Sequence, residues 1–194
     1  MGILNLFRKD KGRDEVPGTK VLVCALDNRF DDLLKGDSEI YGRYYRATTA
    51  AVLPDISALF GRLQQNYDIV HLLCDVTAKG TIADASGKEI TGTELIQRCC
   101  DQSVKLLWLG SDNLPERYIK GFGARGKRLN LVMTVQRKGA NFPGFLGRLV
   151  AKMANGETMP VAWNELCPQI PGSNHPDAPE SIFFAGHGGI RLLA

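Results

Sequence analysis

Two aspartates offer the sharpest chemistry in the sequence. Asp75 and Asp112 follow two apolar runs, Asp68 to Cys74 and Val104 to Leu109, that read as buried strands. If a helical crossover makes those strands neighbours, the carboxylates stand close enough to bind a divalent cation or share a proton. Asp27, which ends the run from Lys20 to Leu26, would be a third oxygen ligand. The plainer account is that all three are turn and cap residues, a common use of Asp at strand ends. Thiol chemistry is less well supplied. His71 lies three residues before Cys74 on the same strand, so the two side chains point to opposite faces and cannot form a dyad with each other. His71 reads instead as a core histidine bonded to a neighbour. His175 sits in a Pro-rich loop and His187 on a Gly-rich turn, neither at the end of a central strand. Gly121 to Gly126 spells G-x-G-x-x-G, but a helix precedes it and a strand follows, the reverse of the dinucleotide fingerprint.

The elements that position these residues alternate along the chain. Lys20–Leu26, Asp68–Cys74, Val104–Leu109 and Leu129–Thr134 are continuous apolar runs, as strands buried on both faces require. Ser181–Phe184 reads as a last strand. Helices are expected from about Ser38, from Ile56 behind an Asp55 cap, and from Thr91, where Thr91 and Glu94 form a capping box. Others run from about Pro115 to Phe122, after Asn141, and from Pro160 to Leu166. Thr81–Asp84 and Lys88–Ile90 form a small hairpin. Parallel strands need crossovers, so the fold class is α/β, a three-layer helix–sheet–helix sandwich with a mostly parallel central sheet. Ligands in such sheets collect beyond the carboxyl ends of the strands, here Asp27, Asp75, Asp112 and Asn113.

The 194 residues suit one domain, expected over residues 19–194 behind a flexible tail, 1–18. Hydrophobic residues make up 44% and charged residues 23%, as in ordinary globular proteins. A net charge of +3 is too mild to argue for nucleic acid, although Arg117, Lys120, Arg125, Lys127 and Arg128 are close in sequence. No apolar run approaches the roughly 20 residues of a membrane span. Five cysteines, an odd number with no export signal ahead of them, indicate reduced thiols and a cytoplasmic location. No Cys or His spacing fits structural zinc.

The order of these segments is similar to that of CHAT domains, caspase-like modules of the clan that includes caspases and separase. Tyr67 to Asp75 resembles the family's "YDIVHxAxHG" strand, and Gly87 to Leu95 its "G..LT..EL" hairpin and helix start. Leu106 to Asp112 resembles the "VVLxAC" strand that carries the nucleophile, and Phe145 to Ala162 the late helix pair. In the family a His follows the first strand and a Cys the second, and the His activates the thiolate for peptide cleavage. Here Asp75 and Asp112 stand at those positions. The resemblance therefore implies a catalytically inactive module of bacterial signalling or defence. It would need no cofactor and would bind a protein at the cleft around Asp27, Asp75, Asp112 and Asn113. Pairing through an edge strand, giving a homodimer, is a further implication. The alternative is a metal-dependent hydrolase using Asp75 and Asp112; a cysteine protease built on Cys74 is a third reading.

Overall fold

The computed structural model describes residues 15–123, 128–167 and 178–194. In chain order the first elements are β1 (Glu15–Val16), β2 (Lys20–Ala25), α1 (Asp31–Gly42), β3 (Ala47–Val52), α2 (Ile56–Leu63) and β4 (Ile69–Leu73). Next come β5 (Thr81–Ala83), β6 (Glu89–Thr91), α3 (Gly92–Asp101), β7 (Leu106–Leu109), α4 (Pro115–Gly121) and β8 (Asn130–Gln136). The chain continues through α5 (Phe142–Ala154), α6 (Met159–Leu166), β9 (Glu180–Ala185) and β10 (Arg191–Leu192). The fold is α/β. Among the described residues a six-stranded sheet runs in the order β3-β2-β4-β7-β8-β9, parallel except for β9. β5 and β6 form the expected hairpin.

The apolar strands fill both faces of this sheet. Along β2, Leu22 and Cys24 join a core cluster with Leu59 of α2, Leu95 of α3 and Tyr118 of α4. The intervening Val21, Val23 and Ala25 join a second cluster with Tyr41 of α1, Phe145 of α5 and Ala162 of α6. This alternation explains why the strands carry no polar face. At roughly 1.5–3 kcal/mol for each large buried apolar side chain, the two clusters supply the main drive to fold.

Local signals place several helix starts. Asp55 Oδ1 accepts from Ala58 N at 2.7 Å, and Thr91 Oγ1 from Glu94 N at 3.0 Å. Three expectations need revision, and one strand, β3, was not expected. α1 begins at Asp31 rather than near Ser38, because Asp27 accepts from Arg29 N and opens a 3-10 turn that runs into the helix. Asn141 precedes α5 but makes no side-chain cap; a short 3-10 turn over Gly139–Asn141 leads the chain in instead. β3 is announced by no apolar run and pairs with β2 over six residues. Glu15 and Val16, expected within a flexible tail, pair in parallel with β10; residues 1–14 of that tail lie outside the described residues. So do Arg125, Gly126, Lys127 and His175. No helix among the described residues is long and apolar enough to cross a membrane.

Candidate functional site

The crossovers leaving β2 and β4 diverge. β2 leads to β3 on one side, and β4 leads to β7 on the other, so the carboxyl ends of these paired strands form a topological switch point. A cleft of about 310 Å³ opens there. Its walls come from the two turns that follow the strands, with Asp27 and Arg29 on one side and Asp75 and Thr77 on the other.

Arg29 dominates the rim. Its Nε lies 3.3 Å from Asp27 Oδ2, and its Nη2 bonds Asp75 Oδ2. All three side chains remain partly exposed. Arg117, reaching in from α4, donates to the Val76 carbonyl at 2.7 Å. Asp84 also lines the cleft but is committed to its own hairpin, accepting from Ser86 Oγ at 2.6 Å and from the backbone of Lys88 and Ile56. Burial would raise its carboxyl; these bonds hold it below the usual range.

Strand pairing brings Asp75 and Asp112 to the ends of neighbouring strands, since β4 and β7 are adjacent and parallel. Their side chains are occupied differently. Asp112 Oδ1 accepts from Arg137 N at 2.6 Å. Asn113 is buried, and its Oδ1 accepts from Val76 N at 2.7 Å. Its Nδ2 lies within 3.2 Å of the Cys74 and Ser111 carbonyls and 3.1 Å from Tyr118 Oη. Asp27 and Asp75 thus share the cleft and the Arg29 clamp, while Asp112 and Asn113 tie the turn after β7 to its neighbours. Asn113→Ala strands buried donors and acceptors and should cost about 1–3 kcal/mol in urea unfolding. Asp112→Asn keeps the acceptor and should leave the melting temperature nearly unchanged.

Beside the cleft lies a buried cluster that the spacing of motifs did not reveal. Arg137, just past β8, makes a two-pronged bond to Asp37 of α1, with both N–O distances 2.9 Å. The same guanidinium donates to the Gly110 carbonyl at 2.8 Å and lies 3.7 Å over the Phe142 ring. His71 Nε2 stands 3.2 Å from Asp37 Oδ2, off the direction of a good hydrogen bond. Tyr41 Oη lies 3.3 Å from His71 Nδ1. One assignment serves both nitrogens: the phenol donates to Nδ1, and Nε2–H faces the carboxylate. Burial pushes the Tyr41 phenol well up, which keeps it a donor. Burial also pushes the Asp37 carboxyl up, but the His71 and Arg137 contacts overcome this and hold it below its ordinary value. A trace of this cluster was legible, because Leu34, Asp37 and Tyr41 share one helical stripe and put a charge on a core-facing side.

The remaining candidates separate. His71 is wholly buried, as a core histidine should be, and Cys74 belongs to the opposite core cluster. Burial drives the Cys74 thiol well above its ordinary range; Asp75 adds to this and Arg29 partly offsets it. Among the described residues no group of three or more His, Cys, Asp or Glu is disposed to hold a metal ion. No protein-family model matches the chain, and no curated protein matches it.

Proposed function

We propose that this chain is a caspase-fold, CHAT-like module without the family's thiol–histidine dyad, and that it works by binding a protein at the strand-end cleft. The observation that carries this reading is the Arg29 clamp. At the switch point, where this architecture places its chemistry, an arginine joins Asp27 to Asp75, one of the two dyad positions. Such a rim offers fixed charges and backbone groups to a peptide rather than a nucleophile and a base. Burial of both faces of a mostly parallel sheet by separate groups of helices supports the three-layer sandwich. The adjacency of β4 and β7 supports the alignment of Asp75 and Asp112 with the dyad positions. Cytoplasmic signalling or defence is the setting this reading implies, with no cofactor required. The metal-hydrolase alternative has no comparable support, because Asp75 is taken by a guanidinium and Asp112 by a backbone amide.

Three measurements test the reading. In the native state Cys74 should resist iodoacetamide while the partly exposed Cys100 reacts, and a fluorogenic peptide library should show no turnover. Turnover that disappears in Cys74→Ser would overturn the proposal. Peptides selected by display on the wild-type protein should bind Arg29→Ala at least about tenfold more weakly, ~1.4 kcal/mol. The melting temperature should barely move, since exposed ion pairs contribute little stability. Undiminished binding to Arg29→Ala would remove the cleft from the reading.

A further inference from the structure

Among the described residues no strand pairs with the outer edge of β3, and that edge carries an inference independent of the cleft. Natural edge strands are blunted by charges, prolines or bulges, because unpaired backbone groups recruit other strands. β9, at one edge, begins with Glu180 and pairs with β8 through a register shift between Thr134 and Gln136. β3, at the other edge, has none of these protections. Its six residues, Ala-Thr-Thr-Ala-Ala-Val, contain no charge, proline or glycine, and they pair with β2 without interruption. Leu53 N donates to Ala25 O, so by alternation Thr48, Ala50 and Val52 turn their N–H and C=O groups away from β2. Ala47, Ala50 and Val52 are exposed.

A cleft opens at each end of the same strand. The one at its start, about 440 Å³, is lined by Lys20, Arg46, Thr48, Thr49 and Tyr67, and both basic residues are exposed. The one at its end, about 390 Å³, is lined mainly by Leu26, Val52, Leu53 and Pro54, with Asp27 beside them. An added strand gains affinity from main-chain bonds and specificity from pockets for its side chains. We propose that the β3 edge receives an extended segment of another protein as an added strand, with a carboxylate beside Lys20 and Arg46 and an aliphatic side chain against Leu53 and Pro54. The six residues of β3 span roughly 17–20 Å, which sets the separation of those two side chains at about five or six residues. A second copy of this chain suits the edge less well, since β3 itself brings no carboxylate to the basic cleft.

The probes are two fluorescent octapeptides of alternating Val and Thr, one with paired Glu residues at its amino end and one at its carboxyl end, each with a Lys-substituted control. Fluorescence anisotropy should show one Glu probe binding and its Lys control failing. Amide exchange should slow at Thr48, Ala50 and Val52 when that probe is added. Arg46→Glu should weaken binding at least about tenfold, as loss of a charge-assisted contact would. Ala50→Pro should abolish it while leaving the melting temperature within about 3 °C, since the Ala50 N–H makes no bond to β2. If neither Glu probe binds, or if binding survives both substitutions, the proposal falls. It falls equally if the protein is a dimer that Ala50→Pro converts to a monomer, because the edge then belongs to a second copy. None of these outcomes touches Arg29, so the strand-end cleft stands or falls by its own tests.

Discussion

Arg137→Ala should destabilise the protein by about 3–5 kcal/mol, because it leaves Asp37 as a buried charge without its bidentate partner. For a chain of this length, that lowers the melting temperature by roughly 6–20 °C. Urea unfolding followed by tryptophan fluorescence reads the change, since Trp108 stacks on His71 beside the pair. Arg137→Lys should recover only part of the loss, as an ammonium keeps the charge but cannot make the two-pronged bond or supply all three contacts at once. The double replacement Asp37→Leu/Arg137→Leu should be much less damaging than either single change, because it removes the unpaired charge itself. A double variant as unstable as the sum of the two singles would show that the residues act separately.

The same pair fixes a direction in acid. Burial raises the Asp37 carboxyl, and His71 and Arg137 more than offset it, so the folded group titrates below the ordinary carboxylate range. A carboxyl depressed on folding stabilises the protein above its unfolded pKa, and the contribution fades as pH falls through the folded value. The wild type should therefore lose stability below about pH 4, and Asp37→Leu/Arg137→Leu should show a flatter acid limb.

Gly110→Ala is the second large effect. A Cβ at Gly110 would sit 2.0 Å from His71 Nε2 and 2.8 Å from its Cδ2. The imidazole has no retreat. It is stacked on Trp108 with ring centroids 5.3 Å apart and met edge-on by Tyr41 at 5.7 Å. Gly110 is equally held, since its N donates to Leu72 O at 2.9 Å and its carbonyl accepts from Arg137. The substitution should cost about 3 kcal/mol, the upper end of ordinary overpacking. His71→Ala should itself destabilise the fold, yet in that background Gly110→Ala should cost far less, because the clashing ring is gone. Equal costs in the two backgrounds would mean that strain elsewhere, not the His71 contact, keeps glycine at this position.

Both effects arise where chain segments far apart in sequence converge, and this divides what was readable beforehand from what was not. The continuous apolar runs marked β2, β4, β7 and β8, because a strand buried on both faces has no room for polar alternation. Asp55 and Thr91 marked the starts of α2 and α3 through bonds local to the helix end. His71 was legible as a core residue from its position inside such a run. β3 was not legible, because small and β-branched residues on an edge strand carry no apolar signature; only pairing with β2 makes them a strand. Arg29 and Arg137 were likewise unmarked. An arginine in a turn looks the same in sequence whether it faces water, bridges two aspartates or enters the core. Burial decides which, and burial is set by elements 46 residues away for Arg29–Asp75 and 100 for Arg137–Asp37. The four central strands, the Asp55 and Thr91 caps and the strand-end aspartates can be read from the chain, since each depends on near neighbours. Which aspartate is clamped in the cleft and which holds a backbone amide is fixed by the folded chain, because hydrogen-bond partners are chosen by proximity in space.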